Sequence, residues 1–142
     1  MEYRDAVELP FTSQQLFALL ADIERYPEFL PHWHAARVLR REDNRLFVQQ
    51  QLGVGPLAMQ FRSTATLEAN HRLSIVGEGR ALRSLRIEWS LEQGCNNSCR
   101  VALQAELQLR SGILQRPLQA LFSDSHHRLM GFFERRAHSL LG

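Results

Sequence analysis

Three stretches of alternating side-chain character constrain this chain more than any other feature. Leu57, Met59, Phe61, Ser63, Ala65 and Leu67 alternate with Ala58, Gln60, Arg62, Thr64, Thr66 and Glu68. Leu85, Ile87, Trp89 and Leu91 alternate with Arg86, Glu88, Ser90 and Glu92. Val101, Leu103, Ala105, Leu107 and Leu109 follow the same rule against a mostly polar set. Successive side chains of a strand point to opposite faces. Stretches of this kind therefore need one face against a core and one face in water, as in an antiparallel sheet covered on one side.

The remaining segments supply more strands and the cover. Glu2 to Leu9 reads as a first strand, and Val38-Leu39, Leu46 to Leu52 and Arg72 to Val76 as others, giving about seven joined mostly by short loops. Thr12 and Gln15 form a capping box, with Phe11 and Leu16 at the staple positions, so a helix starts there. Its apolar face is Leu16, Leu19, Leu20 and Ile23. At the other end Leu114, Leu118, Leu121, Phe122, Ser125, Leu129, Phe132, Phe133, Arg136 and Leu140 follow a 3.6 period, with Ser111 as cap and Pro117 about one turn in. Gly131 inside that helix costs about 1 kcal/mol relative to alanine, in exchange for a close backbone approach. A bent sheet followed by one long amphipathic helix suggests that the helix lies across the apolar face. The expected fold class is α+β, a single domain over residues 1–142, with two short helices after the first strand.

Bulk properties exclude several classes. With 142 residues, 44% hydrophobic and 23% charged, the chain suits one ordinary core. No apolar run approaches the ~20 residues of a membrane-spanning helix, and no secretory leader is visible. The expected location is cytoplasmic, extending to the periphery of the inner membrane. The net charge is only +2, yet every cationic residue apart from histidine is arginine. Cys95 and Cys99 flank a turn and lack two further ligands at metal spacing. His32 and His34 flank Trp33, while His126 and His127 project about 100° apart on a helix, so neither pair reads as a metal site. No nucleophile elbow, zinc motif or phosphate loop is present. Glu68, Glu88, Glu92 and Glu106 fall on the wet face. No catalytic residues, metal ligands or required cofactor are expected.

Residues 22–31 read Asp-Ile-Glu-Arg-Tyr-Pro-Glu-Phe-Leu-Pro, a stiff elbow in which Pro27 ends a helix near Tyr26. This run resembles a signature of the Coq10/RatA family, within the START-like (polyketide cyclase/dehydrase) superfamily. Gly94, Cys99-Arg100-Val101, the spacing of Leu82, Leu85 and Trp89, and Phe132-Phe133 with Arg135-Arg136-Ala137 carry the same resemblance. Glu78-Gly79-Arg80-Ala81 departs from the family's Asp-Gly-Pro-Phe, and Ile87-Glu88 from its glycine before the tryptophan.

The resemblance implies a helix-grip (START-like, Bet v 1-like) fold that holds an apolar molecule between sheet and helix. Ubiquinone or a related isoprenoid lipid is the ligand that the Coq10 branch implies. A toxin that binds the large ribosomal subunit is what RatA implies, and the superfamily name adds aromatase/cyclase as a weaker alternative. The grip would be lined by Met59, Phe61, Ser63, Leu85, Ile87, Trp89, Leu103, Ala105, Phe122, Leu129 and Phe133, with volume left by the small residues. Tyr26, Phe29, Leu30 and Trp33 form either an exposed aromatic mouth touching a membrane or a buried plug. Arg128, Arg135 and Arg136 are the expected contacts for RNA or anionic lipid.

Overall fold

The fold is described by a computed structural model that covers residues 2–110, 112–123 and 128–142, leaving aside the side chains of residues 114, 118 and 120–123. Seven strands form one antiparallel sheet: β1 (Glu2–Leu9), β2 (Trp33–Glu42), β3 (Arg45–Val54), β4 (Leu57–Glu68), β5 (Arg72–Glu78), β6 (Leu82–Gln93) and β7 (Cys99–Leu109). The order is β1-β7-β6-β5-β4-β3-β2, so β1 and β2 are the edges. Register keeps the buried set on one face. One inward row runs across six strands from Tyr3 through Ala105, Ile87, Ile75 and Ala65 to Leu46. A slip of one residue in any strand would turn that strand's apolar set to water. Leu57 was expected inward but is 44% exposed, because it sits at the start of β4 next to the turn at Gly55 and Pro56.

Helix α1 (Ser13–Ala21) begins as its sequence requires. The Gln15 N–H donates to Thr12 Oγ1 at 3.2 Å and the Thr12 N–H donates to Gln15 Oε1 at 2.9 Å. Phe11 and Leu16 are both buried. The helix stops at Asp22, earlier than expected, and a 3-10 turn over Ile23–Glu28 follows, with Pro27 inside it. Proline disfavours the α conformation at Tyr26, and the tighter turn accommodates the ring. Trp33 is not part of the elbow loop. It is the first residue of β2, reached through His32 in the left-handed region (φ 69°).

The expected C-terminal helix is present as two segments, α2 (Gly112–Ser123) and α3 (Leu129–Leu141). Arg128, just before α3, is extended (φ −76°, ψ 149°). A 3.6 period shows which face is apolar; a break that preserves that face leaves the pattern intact. α2 packs on β7, β1 and β3, and α3 on β1 and α1. Ser111, Asp124, Ser125, His126 and His127 lie outside the described residues.

Gly131 makes no close backbone approach. A Cβ there would meet nothing nearer than the Arg135 guanidinium at 3.5 Å. Gly131→Ala is therefore expected to stabilise the fold by about 1 kcal/mol, read from denaturant unfolding. Cys95 is exposed and Cys99 buried, both as free thiols across the β6–β7 turn, where Asn96 and Asn97 are left-handed. Burial pushes the Cys99 thiol up.

Candidate functional site

The inner face of the sheet and the helices above it form one buried cluster. It contains Tyr26, Leu30, Trp33, Met59, Phe61, Leu85, Ile87, Trp89, Leu103, Ala105, Leu129 and Phe133, with Phe29 packed at its margin. The sequence-predicted lining residues are thus brought together; the side chain of Phe122 lies outside the described set. The Trp89 and Phe133 rings meet at 5.0 Å between centroids, tying β6 to α3. The small side chains leave no open hollow at their own positions. Ser63 is 3% exposed, Ala65 0% and Ala105 2%, so solvent-sized space does not reach them. The small residues of the inner face are thus themselves buried.

The elbow is a plug. Tyr26, Leu30 and Trp33 are all buried, and the Tyr26 hydroxyl donates to the Leu20 carbonyl. Burial, aided by Asp22, pushes the Tyr26 hydroxyl far above its ordinary value. An exposed aromatic mouth is excluded for these three residues. α3 is fastened to the elbow by Arg136, which donates to Glu28 Oε1 at 2.7 Å and lies over the Phe29 ring at 5.4 Å. The hydrogen bond from Arg136, helped by Arg25, holds the Glu28 carboxyl below the usual carboxylate range. A depressed carboxylate stabilises the fold above its unfolded pKa, and that contribution fades as pH falls through the lower folded value. The melting temperature of the wild type should therefore drop on acidification through that window by more than that of Glu28→Gln. Equal drops would remove this pair from the account.

Inside the apolar cluster sits a polar relay that sequence reading did not find. The Trp33 indole N–H donates to Gln50 Oε1 at 2.7 Å, and Gln50 Nε2 donates to Ser63 Oγ at 2.7 Å. An indole can only donate, which fixes the direction of the whole chain of bonds and leaves the Ser63 proton at its end. Gln50 and Ser63 are the buried polar residues of the described set. Gln50 stands in the Gln49-Gln50-Gln51 run, where its inward placement would have been visible from alternation with Val48 and Leu52.

Three C-terminal arginines are engaged within the chain. Arg128 pairs with Asp5 at 3.4 Å, Arg135 lies over Phe132 at 4.7 Å, and Arg136 is held at the elbow. Among the described residues no group of His, Cys, Asp and Glu could hold a metal, and no helix is long and apolar enough to cross a membrane.

A curved sheet gripping C-terminal helices over an apolar interior defines a helix-grip domain of the START kind. Residues 9–134 match the family described as polyketide cyclase / dehydrase and lipid transport, and the chain belongs to it. Among its relatives is the ribosome association toxin RatA of Pseudomonas aeruginosa, 25% identical over 94% of this chain and 93% of that one. The mitochondrial coenzyme Q-binding protein COQ10 homolog B of Xenopus laevis is 18% identical, matching all of this chain and 60% of its own. Among solved structures, a START superfamily protein from Mycobacterium smegmatis superposes with a TM-score of 0.77 at 13% identity over 98% of both chains. The Zhui aromatase/cyclase from Streptomyces sp. R1128 gives 0.77 at 12% identity over 100% of this chain and 98% of that one. These likenesses establish the fold.

Proposed function

We propose that this chain is a non-enzymatic binding protein for an amphiphilic lipid of the isoprenoid-quinone class, with ubiquinone the expected ligand. The observation that carries this reading is an apolar grip interrupted by one buried polar relay. A long hydrocarbon tail gains ~25 cal/mol per Å² by leaving water for such walls, and the Ser63 hydroxyl offers a donor to a carbonyl oxygen at the head. The coenzyme Q-binding name of one relative and the lipid-transport description of the family support it. Because the described walls are closed, the ligand enters by displacing the two-part helical roof. Peripheral contact with the inner membrane would supply it.

The test is organic extraction of the purified protein followed by mass spectrometry. An isoprenoid quinone is expected in the wild type and its loss in Leu103→Arg. Ala105→Leu, a milder change on the same wall, is expected to reduce retention while keeping the native circular dichroism. Absence of quinone from the wild type, both as purified and after incubation with ubiquinone-containing vesicles, overturns the reading.

A second reading, association with the large ribosomal subunit, is favoured by the RatA name of several relatives, from Pseudomonas aeruginosa and Vibrio cholerae among others. Co-sedimentation with purified subunits, lost at raised salt, tests it. Aromatase/cyclase chemistry finds no buried carboxylate or imidazole among the described residues.

A further inference from the structure

Unlike Arg128 and Arg136, several arginines on the sheet make no ion pair among the described residues. Strands β2 to β4, with the turns between them, carry five arginines against three acids, Glu42, Asp43 and Glu68; the rest of the chain balances twelve against twelve. These three neighbouring strands at one end of the sheet thus carry an excess of two positive charges, with Arg41 in register with the inward Leu46 and Glu78 of β5 opposite Arg62. Register turns Arg37, Arg40, Arg45 and Arg62 to the outer face, away from the grip. Arg37 pairs in register with Gln49 and Gln49 with Arg62, on the face opposite the buried Val48 and Gln50. Arg37 and Arg62 thus lie two strand spacings apart, roughly 10 Å. Neither they nor Arg45 makes an ion pair among the described residues, whereas Arg40 pairs with Glu42 at 3.1 Å and stacks on the Phe47 ring at 4.4 Å.

Two adjoining grooves cross this face. One, of about 440 Å³, runs past Leu39, Arg40, Phe47 and Thr64; the other, of about 410 Å³, past Gln49 and Gln60; they share Arg62 and Glu78. Arginines on an edge strand also deter edge-to-edge pairing. That accounts for Arg37 and Arg40 on β2 but not for Arg62 on β4, which is flanked by β3 and β5.

We propose that the outer face of β2–β4 is a docking surface for RNA. Free guanidinium groups at phosphate-scale spacing, an arginine–aromatic stack on which a base can lie, and amide side chains between them are the groups that single-stranded or loop RNA engages. A membrane would select several protruding apolar side chains beside the cations; in these grooves Leu39 is 44% exposed, and Gln49, Gln60 and Thr64 supply the hydrogen-bonding groups that RNA engages. The surface rests on the ribosome-association reading for its source of RNA, and it assigns that reading a location.

The probe is a short fluorescein-labelled RNA hairpin followed by anisotropy, with purified large ribosomal subunits assayed in parallel by co-sedimentation. The wild type is expected to bind the hairpin with a salt-dependent affinity. Arg37→Glu with Arg62→Glu should weaken binding by about tenfold or more and flatten the salt dependence by about two phosphate contacts. Arg4→Glu with Arg100→Glu, an equal charge change at the other end of the sheet, should change it by less than about threefold. Equal loss in both pairs, no hairpin binding by the wild type, or preference for phosphatidylglycerol vesicles over RNA through the same arginines each overturns the proposal. Subunit binding that survives Arg37→Glu with Arg62→Glu overturns the surface and leaves the ribosome reading standing. Hairpin binding through this face without subunit binding does the reverse.

Discussion

Replacing Phe133 with alanine is expected to lower the free energy of unfolding by about 3–5 kcal/mol, the range for a large aromatic removed from a dense core. Phe133 is 1% exposed and its ring lies against Trp89. Truncation removes the apolar contact area, leaves a void that the sheet cannot collapse to fill, and detaches α3 from β6. Urea unfolding should show a lower midpoint at an unchanged slope. Phe132, its half-buried neighbour on the same helix, faces the margin where Arg135 covers it, and Phe132→Ala should cost less. A loss below about 1 kcal/mol for Phe133→Ala would mean that α3 does not close the grip. The same variant bears on function. If the roof yields to admit a lipid, a vacated Phe133 site should increase quinone uptake from vesicles even as the empty protein becomes less stable. Parallel decline of both would make Phe133 part of the wall that holds the tail.

Much of this arrangement is legible in the sequence itself. Alternation in β4, β6 and β7 placed Met59, Phe61, Leu85, Trp89 and Leu103 on one face, because a half-buried sheet leaves no other register. Thr12 and Gln15 marked the start of α1 through local hydrogen bonding alone. What stayed hidden depends on contacts distant in sequence. Whether the elbow aromatics project or pack was decided by Leu20, which takes the Tyr26 hydroxyl, and by Arg136, which arrives from the far end of the chain. Arg128, Arg135 and Arg136 read as a basic surface in one dimension, yet they meet Asp5 of β1, the Phe132 ring and Glu28 of the elbow. The outer-face arginines sit on three strands whose adjacency is a matter of topology, so their convergence could not be read from spacing.

The relay makes the second large prediction. Gln50→Leu is expected to destabilise by about 1–3 kcal/mol, the cost of leaving a buried donor without an acceptor. The chain of bonds is polarised from the indole inward, so the substitution strands the Trp33 N–H and removes the donor to Ser63 Oγ in one step. Trp33→Phe removes the same indole bond from the other end, at the added cost of lost volume. If the two groups act through each other, the double variant should lose less than the sum of the single losses, with a coupling of about 0.5–3 kcal/mol. Additive losses would mean that the indole bond contributes nothing measurable. The functional consequence is separable from the structural one. A quinone head held by the Ser63 proton depends on Gln50 keeping that hydroxyl oriented, so Gln50→Leu that remains folded should retain less quinone than the wild type. Ser63→Ala should match that deficit, because it deletes the donor itself, while a variant of the outer face such as Arg62→Glu should leave retention unchanged. Retention unaffected by Ser63→Ala would assign the relay to core specification alone and place the head group elsewhere in the grip.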